Sequence, residues 1–63
     1  MYRIFDYLTG NFVGYAGNAL IHENPITLIE QFAFYLPDYF DSIGENFAIA
    51  WVNEENIIIT WLD

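Results

Sequence analysis

Two apolar arms flank one short polar break over residues 47–62, reading Phe-Ala-Ile-Ala-Trp-Val, then Asn-Glu-Glu-Asn, then Ile-Ile-Ile-Thr-Trp-Leu. Arms rich in Val, Ile, Phe and Trp around such a break are the pattern of a β-hairpin. With Glu54 and Glu55 at the turn, Val52 pairs with Ile57, Trp51 with Ile58, Ala50 with Ile59, Ile49 with Thr60 and Ala48 with Trp61. One face then carries Phe47, Ile49, Trp51, Ile58, Thr60 and Leu62; the other carries Ala48, Ala50, Val52, Ile57, Ile59 and Trp61. A sheet with one side in water alternates apolar and polar residues. Neither face here does, so both need cover.

Earlier in the chain, residues 2–8 and 12–16 read as two strands around Thr9-Gly10-Asn11, where Gly10-Asn11 can supply the positive φ angles of a two-residue turn. Glycines at 10, 14 and 17 predict a bulge or an early strand end near Gly17-Asn18. Residues 19–22 offer a short strand or a connecting segment. Asn24-Pro25 is a helix start, with Asn as cap and Pro at the first helical position, and Thr27 to Glu30 offers a capping box slightly later. Ile26, Ile29, Phe32, Ala33 and Leu36 share a stripe at helical spacing, the face expected to lie on the sheet. Pro37 disfavours helix at Leu36. Residues 38–43 can restart as a second helical piece, with Asp38 in its first turn, before Gly44 stops it. The order β-β-α-β-β specifies an α+β fold, a small antiparallel sheet of about four strands with one main helix, in a single domain over residues 1–63.

Size changes that picture. A 63-residue domain buries only about 60% of the surface its unfolded chain exposes. With no Cys and only His22, one chain has neither disulfides nor a zinc site to support it. Self-association into a homodimer or higher oligomer is the remaining support. Trp51 and Trp61, on opposite faces of the hairpin, and Ile57 and Ile59 are the candidate subunit contacts.

Charge sharpens the reading further. Nine Asp and Glu against one Arg give a formal net charge of −8, which makes nucleic acid and anionic membranes poor partners. A basic, nucleic-acid-binding protein surface is the natural partner of such a field. Asp38, Asp41 and Glu45 stand at i, i+3 and i+7, which on one helical face separates neighbours by about 5–6 Å, on the scale of successive backbone phosphates. Tyr39 and Phe40 add aromatic anchors beside that row, while Glu54 and Glu55 form a second acidic group at the hairpin tip with Asp63 at the chain end.

Catalytic chemistry finds little here. Ser42 is the only serine and has no base near it in sequence, so no catalytic residue is assigned and an enzyme is not expected. Asp38, Asp41 and Glu45 lack the spacing of a calcium loop, and His22 beside Glu23 lacks the further ligands zinc needs. No metal or cofactor is expected. Met1-Tyr2-Arg3 leads into alternating residues rather than an export signal, and no run approaches the ~18 apolar residues of a membrane helix. Together with the lack of Cys this fits a reducing cytoplasm, that of the host cell for a phage-encoded chain.

Residues 36–40, Leu-Pro-Asp-Tyr-Phe, followed after three further residues by Gly44-Glu-Asn-Phe-Ala-Ile-Ala-Trp51, resemble a segment of the barstar-type ribonuclease inhibitors. That segment runs Pro-[Asp/Glu]-Tyr-[Tyr/Phe]-Gly-x-Asn-x-Asp-Ala-Leu-Trp. The resemblance covers about a quarter of the chain and implies a small acidic protein whose helix and loop fill a cationic active site. The chain departs from it at Ala48, where the family has aspartate, at Val52, and at the inserted Asp41-Ser42-Ile43; the family also has helix where 47–51 reads as strand. In size, charge and lack of catalytic groups the chain also resembles the phage and mobile-element anti-defence proteins, the anti-CRISPR and anti-restriction DNA mimics. The expected function is therefore a small acidic inhibitor that blocks the nucleic-acid-binding surface of a host defence protein or nuclease. A homo-oligomeric structural protein, acidic only for solubility, and a small-ligand-binding module are the alternatives.

Overall fold

The computed structural model describes residues 1–62. Strand β1 (Tyr2–Asp6) and strand β6 (Phe47–Val52) form the centre of an antiparallel sheet, with β7 (Ile58–Leu62) on the outer side of β6. The other side of β1 is shared by two short strands, β2 (Asn11–Phe12) opposite its C-terminal half and β5 (Ile21–His22) opposite its N-terminal half. Between these, β3 (Gly14–Tyr15) and β4 (Asn18–Ala19) pair as a separate two-stranded hairpin. Helix α1 (Pro25–Tyr35) and a 3₁₀ helix (Pro37–Ser42) complete an α+β domain.

The first hairpin differs from its sequence reading. Asp6 pairs with Asn11, so residues 7–10 form the turn and Asn11 is already strand. Gly10 takes the positive φ of 75°, and the Leu8 N–H donates to Asp6 Oδ1 at 2.8 Å. The glycine-rich stretch, read as a bulge or an early strand end near Gly17-Asn18, ends its strand at Tyr15 and folds back on itself. Ala16 and Gly17, at φ 51° and 82°, make the two-residue turn of β3–β4. Gly14 is required there for another reason: a Cβ on it would lie 2.7 Å from the Asn18 carbonyl oxygen.

Helix α1 begins as its sequence predicts, at Asn24-Pro25. Asn24 Oδ1 accepts from the Ile26 N–H at 2.9 Å, satisfying one of the free donors of the first turn, so the cap is Asn24 rather than the Thr27–Glu30 box. Asn24 is itself held by its own N–H, which donates to His22 Nδ1 at 2.9 Å. The helix stops before Pro37, and the Leu36 N–H closes the last turn on the Phe32 carbonyl at 2.8 Å. The buried stripe is corrected, however. Leu28 and Phe32 are fully buried, with Ile29 and Leu36 packed beside them, while Ile26 is 67% exposed. At 3.6 residues per turn Leu28 lies about 40° round the axis from Phe32, and Ile26 about 120°.

The direction of each sheet face follows from the register. Tyr2, Ile4, Phe47 and Ile49 share one face, and Ile4, Phe47 and Ile49 form the core with Leu28, Phe32 and Leu20. The rings of Phe32 and Phe47 lie 5.3 Å apart. Arg3, Phe5, Phe12, Ala48, Ala50 and Trp61 share the opposite face, which no helix covers. Its own long side chains cover it instead. Phe5 meets Phe12, Tyr7 and Trp61 with ring centroids 5.4, 5.6 and 5.8 Å away, and beneath this layer Ala50 and Val52 are buried.

The 47–62 hairpin forms, but with a different register. Ile49 pairs with Leu62, Ala50 with Trp61 and Trp51 with Thr60, two residues from the expected pairing, and a bulge between Trp51 and Val52 brings Val52 opposite Ile58. The cause lies at the tip. Asn53 Oδ1 accepts from the N–H groups of both Glu55 (2.9 Å) and Ile57 (3.0 Å), and Asn56 adopts φ 62°. Residues 53–57 thus form a longer loop than a Glu54-Glu55 turn. A shift of two preserves the faces of Trp51 and Trp61, whereas the bulge moves Ile58 to the face of Val52.

Candidate functional site

The carboxylates from Glu23 to Glu55 are all exposed, Asp6 is half-buried, and no charged side chain among the described residues is buried. The chain's only Arg does not neutralise them. Arg3 Nη1 donates to Asn56 Oδ1 at 3.2 Å, and the guanidinium lies 4.6 Å from the centre of the Phe12 ring. It sits on the open aromatic face, where burial pushes its pKa down from the ordinary arginine value and leaves Nε without a hydrogen-bond partner among the described residues.

The 38–45 segment is built in two pieces. Pro37 starts a 3₁₀ helix with Asp38 in its first turn, and three residues per turn place Asp41 directly above Asp38. Tyr39 and Phe40 between them are about half exposed, with the Tyr39 ring 5.8 Å from that of Phe47. Glu45 does not continue this row, because the helix ends at Ser42. Gly44, at φ 97°, turns the chain, and the Glu45 and Asn46 N–H groups both donate to the Ser42 carbonyl at 3.1 Å. The expected spacing of three carboxylates on one helical face therefore reduces to the Asp38–Asp41 pair with Glu45 on the following turn. The second acidic group, Glu54 and Glu55, lies at the far hairpin tip; Asp63 lies outside the described residues.

Asp6 is the residue that sequence reasoning missed. A cleft of about 600 Å³ opens between the 7–10 turn and the 3₁₀ helix, and its lining includes Asp6 and Asp38 together with Phe12, Leu36, Tyr39 and Phe47. No spacing rule links Asp6 to Asp38; the β1–β6 pairing and the return of the chain after α1 bring them to one cavity. The aromatic side of the open face carried a legible signal, since Arg3, Phe5 and Tyr7 alternate at period two.

The four proposed subunit contacts do not form one surface. Trp51 stands on the helix-covered side of the sheet at its margin, edge-on to Tyr2 at 4.8 Å and 38% exposed. Trp61 is on the open face, 41% exposed, while Ile57 is exposed at the end of the tip loop and Ile59 on the outer strand. Neither tryptophan belongs to the buried core.

Among the described residues no three His, Cys, Asp or Glu side chains gather as a metal site, and no helix is long and apolar enough to cross a membrane. The stretch resembling barstar-type inhibitors contains β6 over Phe47–Val52, a strand where that family has helix. Comparison with known proteins finds no match to a protein-family model, to a curated protein or to a solved structure.

Proposed function

We propose that this protein is a small acidic inhibitor that occupies the nucleic-acid-binding surface of a basic partner, in the manner of anti-restriction or anti-CRISPR DNA mimics. The observation that carries the reading is the exposed, uncompensated carboxylate surface. The chain carries a net charge of −8 and its carboxylates from Glu23 to Glu55 are all exposed, while Arg3 is engaged with Phe12 and Asn56 on the sheet face that α1 leaves open. Asp38 and Asp41, stacked on the 3₁₀ helix beside Tyr39 and Phe40, combine negative charge with the aromatic area that dominates interface energetics. Glu45 flanks this surface, and Glu54 and Glu55 contribute to long-range steering.

The test is capture from a bacterial lysate at low salt with mass-spectrometric identification, followed by competition against duplex DNA. Nucleic-acid-binding proteins that elute as salt rises and lose DNA when the chain is added support the reading. Capture of no basic protein, or capture that leaves DNA binding intact, refutes it.

Self-association is the second reading, favoured by the open face around Phe5, Tyr7 and Trp61. Its cover in a homodimer would explain why a domain of this size leaves so much aromatic area exposed. Sedimentation of the isolated chain as a monomer at tens of micromolar rejects it.

A further inference from the structure

We infer that the cleft between the 7–10 turn and the 3₁₀ helix receives an arginine side chain of the basic partner. The inference rests on the proposed function, since it names the group through which that partner is held. The lining sets the sign of the ligand: Asp6 and Asp38 both border the cavity, and the chain's only Arg is on the far face of the sheet. Asp6 is held in place because its Oδ1 accepts from the Leu8 N–H at 2.8 Å, so one carboxylate is oriented before any ligand arrives. The walls set its shape. Tyr39 and Phe47 offer ring surfaces, and Leu36 an aliphatic one, for the methylene stem and the flat guanidinium plane. A planar fork of donors reaching carboxylates over an aromatic wall is the arrangement in which Arg outperforms Lys. At about 600 Å³ the cleft lies within the usual range of ligand cavities and has room for a whole side chain.

The experiment titrates the ¹⁵N-labelled chain with N-acetyl-arginine amide and, in parallel, with the uncharged isostere N-acetyl-citrulline amide. The expected result is saturable shifts at the Asp6, Tyr39 and Asn46 amides with the arginine compound only. D6N keeps an acceptor for the Leu8 N–H, so the turn persists, and D38N alters an exposed side chain. Each should weaken binding roughly three- to tenfold, while E30Q on the exposed surface of α1 leaves it unchanged. Equal shifts from citrulline, or arginine shifts confined to the 53–57 tip, overturn the inference. Lysate capture separates the two levels. Partner capture undiminished in the D6N/D38N double variant overturns the cleft while the proposed function stands; failure of the unaltered chain to capture any basic protein overturns both.

Discussion

Replacing Phe32 and Ile26 in turn by alanine tests the packing of α1 on the sheet, because the two residues share the apolar stripe of the sequence but not its burial. Phe32 is fully buried against Phe47, whereas Ile26 is 67% exposed. A buried phenylalanine removes ~150–250 Å² from water, worth about 4–6 kcal/mol at about 25 cal/mol/Å². Truncation to alanine forfeits most of that, and core Phe→Ala changes cost about 3–5 kcal/mol. At roughly 0.05–0.15 kcal/mol per residue, a chain of this length has only about 3–9 kcal/mol of stability in all. F32A should therefore lower the melting temperature by tens of degrees, at roughly 4–8 °C per kcal/mol, or leave the chain unfolded. I26A should fall within about 0.5 kcal/mol of the parent, its small loss of contact offset by the better helix propensity of alanine. Thermal and urea unfolding followed by circular dichroism measures both. A loss from I26A comparable with that from F32A would show that the stripe facing the sheet is centred elsewhere.

Asn53→Ala removes the acceptor of two backbone N–H groups at the hairpin tip and should cost about 1–2 kcal/mol in urea unfolding, with Ile57 and Glu55 amides exchanging faster. Gly14→Ala forces a Cβ to within 2.7 Å of the Asn18 carbonyl oxygen. It should destabilise by about 1–3 kcal/mol, with shifts concentrated in β3–β4. Charge reversal of Asp38, Asp41 and Glu45 to Lys should abolish partner capture with the fold intact, each surface change moving stability by about 0.5 kcal/mol or less. The same reversal at Glu54 and Glu55 should slow association and flatten its salt dependence; loss of capture from the tip variant alone would place recognition at the tip and refute its assignment to 38–45.

How much of this was legible in the chain depends on the range over which each feature is decided. Asn24-Pro25 at the start of α1, Pro37 at its end, Gly44 after the 3₁₀ helix and the apolar arms of the last hairpin were all readable, because caps, fixed φ angles and β-branched runs act on their own neighbours. So were the charge and the lack of Cys, which depend on composition alone. The barstar-like stretch also showed its limit early: its apolar run favoured strand, and β6 is strand.

The register of β6–β7 was beyond such reading, since it hangs on Asn53 accepting two N–H groups and Asn56 adopting a positive φ, and the residue pattern is equally compatible with a two-residue Glu54-Glu55 turn. Which side of α1 is buried depended on where Phe47 and Ile49 lie beneath it, and that moved the stripe from Ile26 to Leu28. The cleft is the clearest case. Asp6 and Asp38 lie far apart in the chain, and only the pairing of β1 with β6 and the return of the chain through Leu36 and Tyr39 set both carboxylates on one cavity. Local sequence decides local conformation because its forces reach one turn; a site shared by distant segments exists only once the core has packed and fixed the segments relative to one another.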